Sequence, residues 1–218
     1  MAEEKVAGLV LAAGAGRRFG RPKALVEFEG EQLVLRAVRL LTAGGCAPVH
    51  VVVGAGADDL PPLPEAVLVT NPDWSEGMGL SLRLGLASLP AQAGAAVVIL
   101  VDQPLLSPAA VRRLRAAYAG GAVVATATYA GRPGHPVLLG RDTWPLLDRY
   151  ATGDRGARDL LRARPDLVVR VPCDGVGVPL DLDTPGDLAR ATERVTPAPV
   201  AVDRAGSAGD EGRGSAWP

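Results

Sequence analysis

The chain has 218 residues, which is long enough to bury one sizeable hydrophobic core. Its 23 lysine and arginine residues nearly balance 24 aspartate and glutamate residues, which argues against a protein that coats nucleic acid. The two cysteines, Cys46 and Cys173, have no metal-ligand spacing and cannot build a disulfide framework. No apolar stretch reaches the length of a membrane span, and the acidic start differs from a signal peptide. We therefore expect a cytoplasmic protein without a nucleic-acid or membrane partner.

Short β-branched runs alternate with segments of helical periodicity. The predicted strands are residues 6–12, 49–54, 66–71, 95–102, 122–128 and 167–172. The predicted helices are Glu31–Thr42, Leu80–Leu89 and Ser107–Tyr118, and Pro108 after Ser107 is typical of a helix start. Because the strand candidates are mostly continuous apolar runs, we expect a Rossmann-like α/β fold. It would have a mostly parallel sheet with helices on both faces.

The alternation breaks after residue 128. The proline-bearing segment 131–144 is typical of a hairpin or an edge element, and residues 152–166 predict a loop and a short helix that begins near Asp154. Two aspartates then precede a helix that begins near Pro185. Residues 196–218 are rich in Pro, Gly, Ala and Ser without periodicity, so we expect one domain over 1–195 and a disordered tail.

A glycine-rich segment follows the first predicted strand, with glycines at 14, 16 and 20. This spacing is one residue too long for the dinucleotide fingerprint, and the second predicted strand ends in glycine instead of an acidic residue. The Walker loop needs glycine directly before lysine, where this chain has Pro22. Four cations stand close together: Arg17, Arg18, Arg21 and Lys23. Glycine N–H groups ringed by cations favour a triphosphate over a redox dinucleotide, although a plain strand-to-helix turn is the alternative.

The stretch "LAAGAGRRFGRPK" resembles the signature of nucleotidyltransferases. Within them, residues 6–194 resemble molybdenum cofactor cytidylyltransferases and the related molybdopterin-guanine-dinucleotide-synthase-like NTP transferases. Further matching pieces occur in the same order as in that family: "NPDWSEGMGLSLRLGL", "LVDQPLL", "GRPGHPVLLGR", "GDRGAR" and "DLDTPGDL". The resemblance implies a fold of the nucleotide-diphospho-sugar transferase type.

The same resemblance implies a reaction: transfer of CMP from CTP to the terminal phosphate of molybdopterin, with release of pyrophosphate and with Mg²⁺ as cofactor. Ala13-Gly14 and Pro22 resemble the cytidylyl members more than the guanylyl members. A molybdoenzyme or its maturation factor would receive the product. Two alternatives stay open, namely guanylyl or cytidylyl transfer to another phosphorylated acceptor, and a catalytically silent nucleotide-binding domain.

The resemblance also assigns site residues. Catalysis would depend on Arg18, Lys23 and Asp102. The nucleotide would lie against Leu11, Ala12, Ala13, Gly14, Gly16, Arg17, Arg18, Lys23, Gly77, Gly79 and Ser81. The metal would bind Asp102 and Asp183, with Asp181 as a further candidate. The acceptor would face His135, Asp154 and Arg158.

Simple physical arguments support part of this assignment. Asp102 follows a predicted strand, at the sheet edge where α/β proteins bind ligands, although it could also begin a turn. Asp181 and Asp183 alternate by two, so an extended backbone would place both on one face; Asp183 could equally cap the next helix. A hydrogen-bonded structural role is the default for His135, and a surface position is the alternative for Arg158.

Overall fold

The computed structural model describes residues 5–195. The predicted tail at 196–218 lies outside the described residues. The strands are β1 (Lys5–Ala12), β2 (Glu27–Phe28), β3 (Glu31–Gln32), β4 (Val49–Val53), β5 (Ala66–Thr70), β6 (Ala93–Leu100), β7 (Val124–Tyr129), β8 (Arg132–Gly140) and β9 (Val168–Pro172). The helices are α1 (Leu33–Ala43), α2 (Met78–Ser88), α3 (Pro108–Ala119), α4 (Leu147–Tyr150), α5 (Arg158–Ala163) and α6 (Pro185–Val195).

The six predicted strands and the three early helices are confirmed, with small differences at their ends. Ser107 caps α3, since its side chain accepts a hydrogen bond from the N–H of Ala109. The start of α1 differs from the prediction, because residues 31–32 pair with 27–28 in a small hairpin and the helix begins at Leu33. The helix expected near Asp154 begins later, at Arg158, after a single helical turn over Gly153–Arg155.

Seven strands form one sheet in the order β5-β4-β1-β6-β8-β7-β9. Within it β8 alone runs antiparallel to its neighbours, so the prediction of a mostly parallel sheet is confirmed. The buried residues form two clusters, one on each face of the sheet. Helices α1, α3 and α6 contribute to the first cluster, and α2, α4 and α5 contribute to the second. Helices therefore cover both faces, as the apolar runs predicted.

The proline-bearing segment 131–144 forms a hairpin with β7, as predicted, but the edge prediction is wrong. Residues 137–139 of β8 pair with both β6 and β7, inside the sheet. The register shifts so that Thr126 pairs with Val137 and Ala127 pairs with Gly134. His135 and Pro136 are therefore left without a paired residue in β7. A bulge of this kind accommodates a proline inside a sheet, because the missing N–H falls where the ladder is interrupted.

This topology decides which residues can meet. Strands β1 and β6 are parallel neighbours that end side by side, with Leu11 opposite Leu100. The loops that follow them therefore leave from the same edge of the sheet. Because β8 runs in the opposite direction, its first residues, up to His135, lie at that edge too. Within residues 5–195, the helices are too short or too polar to cross a membrane.

Candidate functional site

Three charged side chains from separate parts of the chain meet at this edge. Lys23 lies on a short helical turn after the glycine segment, Asp102 follows β6, and Asp183 precedes α6. The Nζ atom of Lys23 is 2.7 Å from Asp102 Oδ2 and 2.7 Å from Asp183 Oδ1. The structure thus brings together the lysine and two of the three aspartates that the sequence singled out. We call these three residues the Lys23 cluster.

Burial shapes the electrostatics of the Lys23 cluster. The side chains of Lys23 and Asp102 are each only 16% exposed. Burial by itself lowers the pKa of Lys23, but attraction to Asp102 and hydrogen bonds to both carboxylates outweigh it, so the pKa is raised. For Asp102, burial raises the pKa and the nearby ammonium of Lys23 only partly offsets this. We conclude that Lys23 stays protonated at neutral pH, with both carboxylates as its partners.

Asp183 is available for the Lys23 cluster because other residues cap α6. Thr184 and Asp187 bond to each other reciprocally at the start of this helix, and Asp187 Oδ2 also accepts from the N–H of Asp183. This arrangement is a capping box, so a capping role for the Asp183 side chain is excluded. Arg18 also forms an ion pair with Asp183, with its Nη1 atom 3.0 Å from Asp183 Oδ2. Because the Arg18 side chain is 74% exposed, this ion pair is weak.

Asp181 does not join Lys23. Its Oδ1 accepts a hydrogen bond of 2.7 Å from Nε2 of Gln103, the residue after Asp102. Its charge contributes to the raised pKa of Asp102, so it lies near the Lys23 cluster without bonding to it. Gln103 is buried and was missed as a site residue. Its position directly after Asp102 was the available signal.

The glycine segment forms a tight turn before Lys23. The carbonyl oxygen of Gly16 accepts from the N–H groups of Phe19 and Gly20. Gly16 has φ +61°, and a Cβ there would lie 1.9 Å from the carbonyl oxygen of Arg21, so only glycine fits. A Cβ on Gly14, by contrast, would meet nothing within 4 Å. Gly16 is therefore required by the backbone conformation of the turn, whereas the space beside Gly14 is open.

That open space belongs to a cavity of about 300 Å³ beside the glycine segment. Six residues predicted to contact the nucleotide line it: Leu11, Ala13, Gly14, Arg17, Gly77 and Ser81. Ala12 is buried in the core on the other face, because side chains alternate along a strand. Gly16, Gly79, Arg18 and Lys23 are not part of this lining. Of the predicted nucleotide residues, six therefore line the cavity, while Lys23 belongs to the Lys23 cluster and Arg18 contacts it through Asp183.

Asp154 lies in the wall of this cavity, beside Gly77 and Met78. The contact of Asp154 with the acceptor stays a prediction, whereas its place in the wall has a structural reason. The reason is a close contact between two loops: a Cβ on Gly77 would lie 2.5 Å from the carbonyl carbon of Gly153 and 2.9 Å from Asp154 Oδ1. Trp74 and Ser75 complete this side of the wall.

Gly79 lies where α2 packs on another segment, and its contact with the nucleotide stays a prediction. A Cβ there would lie 2.4 Å from the carbonyl oxygen of Ala151 and 2.9 Å from the nitrogen of Thr152. The space where a side chain of residue 79 would point is thus filled by the backbone of residues 151–152. Gly79 joins the start of α2 to the segment that precedes α5. We call this packing of Gly77 and Gly79 on residues 151–154 the α2 contact.

The remaining acceptor candidates, His135 and Arg158, lie close enough to interact electrostatically, with Asp181 nearby. The pKa of His135 is lowered to about 4, mainly by burial; the charge of Asp181 opposes this shift and the charge of Arg158 adds to it. His135 is therefore neutral at physiological pH. Its backbone carbonyl accepts a hydrogen bond of 3.0 Å from the hydroxyl of Tyr129.

Asn71 is a second residue that the sequence analysis missed. It follows β5, is fully buried, and donates from Nδ2 to the hydroxyl of Ser81 at 2.9 Å. Its Oδ1 accepts from the N–H of Asp73, so one side chain fixes both the loop before α2 and a residue of the cavity wall. An asparagine between a strand and a proline was the signal that could have revealed it.

Gly54, at the end of β4, stands where a dinucleotide-binding fold carries an acidic residue. A Cβ there would lie 2.6 Å from Trp74 Cβ and 2.9 Å from the carbonyl oxygen of Ala13. The site thus has no room for a carboxylate at this position. This packing agrees with the prediction against a redox dinucleotide.

The carboxylates of the Lys23 cluster are also candidate ligands of a metal ion. Among residues 5–195, the structure contains no group of three or more His, Cys, Asp or Glu side chains arranged to hold one. Asp102 Oδ1 is nevertheless buried without a hydrogen-bond partner, while Oδ2 binds the ammonium that Asp183 shares. Two carboxylates with a free oxygen suit a hard cation that takes its other ligands from substrate phosphates and water.

Comparison with known proteins places the chain among relatives of similar length. It is 38% identical over 190 residues to nicotine blue oxidoreductase of Paenarthrobacter nicotinovorans, covering 82% of this chain and 92% of that protein. It is 34% identical over 205 residues to molybdenum cofactor guanylyltransferase of Rhodobacter capsulatus, covering 88% and 97%. A crystal structure of a Mycobacterium tuberculosis H37Rv protein in complex with manganese has a TM-score of 0.75 at 29% identity, covering 88% and 100%.

The family itself follows from a direct match. The model of the MobA-like NTP transferase domain matches residues 8–182, which include the glycine segment, Lys23, Asp102 and the start of the segment that carries Asp183. The resemblance stated from the sequence motifs is confirmed. The chain belongs to the family of proteins with a MobA-like NTP transferase domain.

Proposed function

We propose that this nucleotidyltransferase moves a nucleoside monophosphate from a nucleoside triphosphate to the terminal phosphate of a molybdopterin-type acceptor. An oxygen of the acceptor phosphate attacks the α-phosphorus and forms a new P–O bond. The bond from the α-phosphorus to the bridging oxygen breaks, and pyrophosphate leaves with that electron pair. A molybdoenzyme or its maturation factor then takes up the dinucleotide product.

The observation that carries the proposal is the Lys23 cluster beside the glycine turn. The attacking phosphate is already anionic, so the reaction needs no activated Ser, Cys or His. It needs instead a place where two anions can approach, with positive charge held firmly close by. Lys23, bonded to two carboxylates and mostly buried, is such a charge. Arg17 in the cavity wall and Arg18 beside Asp183 add further positive charge for a triphosphate.

Asp102 and Asp183 are the residues that would hold Mg²⁺, and the free Oδ1 of Asp102 supports this role. A bound divalent cation would neutralise and orient phosphate oxygens. The manganese complex of the mycobacterial relative supports a divalent metal in this kind of protein. Asp181, bonded to Gln103, would contribute from a second position near Asp102.

The two substrates would occupy neighbouring places. The base and ribose of the nucleotide fit the cavity between Leu11–Gly14 and the start of α2, with Asp154 in its wall. The acceptor fits the side of His135 and Arg158. A neutral imidazole there can donate one hydrogen bond and accept another, and Arg158 supplies a positive charge for a phosphate.

The identity of the donor nucleotide has two candidates. Ala13-Gly14 and Pro22 favour CTP through the resemblance to cytidylyl members, and CTP is therefore our first choice. The similarity to a molybdenum cofactor guanylyltransferase favours GTP as the second. Both donors use the same triphosphate site, so the choice between them does not alter the proposed functions of Lys23 and Asp102.

The experiment is a pyrophosphate-release assay with CTP and with GTP, in Mg²⁺, against molybdopterin and other phosphorylated acceptors. Turnover that requires both CTP and molybdopterin supports CTP as the donor. Turnover with GTP in place of CTP would identify GTP as the donor. Nucleotide binding without release on any acceptor would contradict transferase activity and indicate a silent domain.

A second candidate function comes from the relative named nicotine blue oxidoreductase. Hydride transfer would require a nicotinamide or flavin donor, whose consumption can be followed by absorbance with a reducible dye as acceptor. The packing of Trp74 against Gly54 weighs against a dinucleotide bound in the Rossmann manner. Oxidation of NADH or NADPH that depends on this protein would favour the second candidate over the first.

A further inference from the structure

The two carboxylates of the Lys23 cluster already bind a cation that belongs to the chain. The ammonium of Lys23 bonds to Asp102 Oδ2 and to Asp183 Oδ1, both at 2.7 Å. These oxygens come from two adjacent loops, since the N–H of Leu182 donates to the backbone carbonyl of Asp102 at 2.9 Å. One side chain therefore bridges the two carboxylates that would hold a divalent metal and offsets part of their negative charge.

The position of this ammonium is unfavourable for a second cation. Lys23 and Asp102 are each 16% exposed, so little water screens a positive charge that approaches the same oxygens. Lys23 also follows Pro22, whose ring fixes its own φ and begins the short helical turn. The Cα atom of Lys23 is thus held in place, and the ammonium can move only by rotation about the bonds of its four-carbon side chain.

A triphosphate offers the ammonium another place. The turn over residues 14–20 ends just before Lys23, so phosphates bound at this turn lie within reach of the lysine stem. We propose that Lys23 acts as a resident cation that excludes divalent metal from Asp102 and Asp183 until a nucleoside triphosphate draws it away. This inference rests on the proposed function for its nucleotide, but its metal half concerns the free protein alone.

The consequence is a linkage between the two ligands. If the triphosphate removes Lys23 from the carboxylates, it raises the affinity of the protein for the metal. By thermodynamic reciprocity, the metal then raises the affinity for the nucleotide by the same factor. Loss of the ammonium should abolish most of this coupling and open the carboxylates permanently.

The test is a titration of the full-length protein with Mn²⁺, followed by electron paramagnetic resonance of the free ion. Without nucleotide, Lys23→Met should bind Mn²⁺ roughly tenfold more tightly than the wild type, a typical size for such coupling. Arg21→Met is the matched control, because it removes a positive charge two residues before Lys23, at an exposed side chain that has no ion pair to a described residue. It should change Mn²⁺ affinity by less than about twofold. Adding Asp102→Asn to Lys23→Met should remove the gain.

A second arm uses only the wild type and so does not depend on how the variant folds. A non-hydrolysable CTP or GTP analogue should raise its Mn²⁺ affinity by about tenfold beyond the Mn²⁺ that the analogue binds in a titration without protein. Equal Mn²⁺ affinity in wild type and Lys23→Met, or unchanged Mn²⁺ affinity of the wild type with either analogue, would overturn the inference. Metal exclusion without turnover on any acceptor would retain it and refute the transferase proposal, whereas turnover without metal exclusion would do the opposite.

Discussion

The Lys23 cluster and the α2 contact lie at the same edge of the sheet, and opposite features of the sequence build them. In the Lys23 cluster, charged side chains from separate segments reach one another at 2.7 Å. In the α2 contact, the absence of side chains at Gly77 and Gly79 lets another backbone approach. The first region depends on charge and the second on shape. We therefore expect charge-changing variants to affect turnover most, and size-changing variants to affect stability most.

The largest expected effect is that of Asp102→Ala on turnover. Because this change removes one of two carboxylates at the proposed metal and phosphate site, we expect pyrophosphate release to fall by about 100-fold or more. The matched control is Asp166→Ala, which removes a surface carboxylate whose ion pair within residues 5–195 is with Arg164. It should leave turnover unchanged. An Asp102→Ala protein with most of its activity would refute the assignment.

A substitution of His135 tests whether the imidazole of this residue is neutral in the folded protein. Its pKa is about 4 in the folded protein, against an ordinary 6.5, so the unfolded chain binds a proton first as pH falls. The stabilisation from neutral His135 is full above pH 6.5 and is lost as the pH falls towards 4; it amounts to about 3 kcal/mol.

The measurement is chemical denaturation of the wild type and His135→Gln between these two pH values. The free energy of unfolding of His135→Gln should fall less over this window. His50→Gln is the control with the other histidine, whose pKa burial also lowers but to a lesser extent. Parallel pH profiles for the wild type and His135→Gln would show that His135 takes up its proton at an ordinary pKa.

Gly79→Ala tests the α2 contact. The added Cβ would lie 2.4 Å from a backbone oxygen, so the segment at 151–152 must shift, and we expect a destabilisation of about 1–3 kcal/mol. Gly186→Ala is the matched control, because Gly186 holds the same second position in α6 and the nearest atoms to its Cβ would be 3.7 Å away. It should be neutral or slightly stabilising, since alanine favours a helix. Equal stability of the two variants would contradict the steric reading of Gly79.

The smallest expected effect on stability is that of Arg18→Met. Its pair with Asp183 is largely exposed, so the free energy of unfolding should change by less than about 1 kcal/mol. The KM for the nucleoside triphosphate should rise severalfold, because the guanidinium faces the phosphates in our proposal. A large loss of stability with an unchanged KM would make Arg18 a structural residue of the Lys23 cluster.

Local patterns in the sequence were sufficient for most of the fold. Parallel strands covered on both faces must be continuous apolar runs, and the runs at 6–12 and 95–102 were found for that reason. The position of β8 was not predictable in the same way. Its prolines are typical of an edge, and only the bulge at His135 and Pro136, which forms through pairing with β7, makes an internal position acceptable.

The site residues show the same difference between what local sequence patterns predict and what contacts between distant segments decide. Lys23 and Asp102 follow from motifs, because each stands directly after a strand or loop whose position the sequence determines. Asp154 was placed with the acceptor because its neighbours in sequence point there. Its real neighbours, Gly77 and Met78, are distant in sequence, and this proximity depends on how closely two backbones pack. Glycines near a predicted binding loop do not reveal whether a ligand or another segment fills their space.

Gly54 has a consequence for attempts to convert this scaffold to a different cofactor. Introducing the ribose-reading carboxylate of dehydrogenases at this position would drive its first carbon into the side chain of Trp74 and the carbonyl of Ala13. The tryptophan loop would have to be rebuilt at the same time, and with it one wall of the pocket. A single substitution therefore offers no gradual route from this protein towards nicotinamide chemistry.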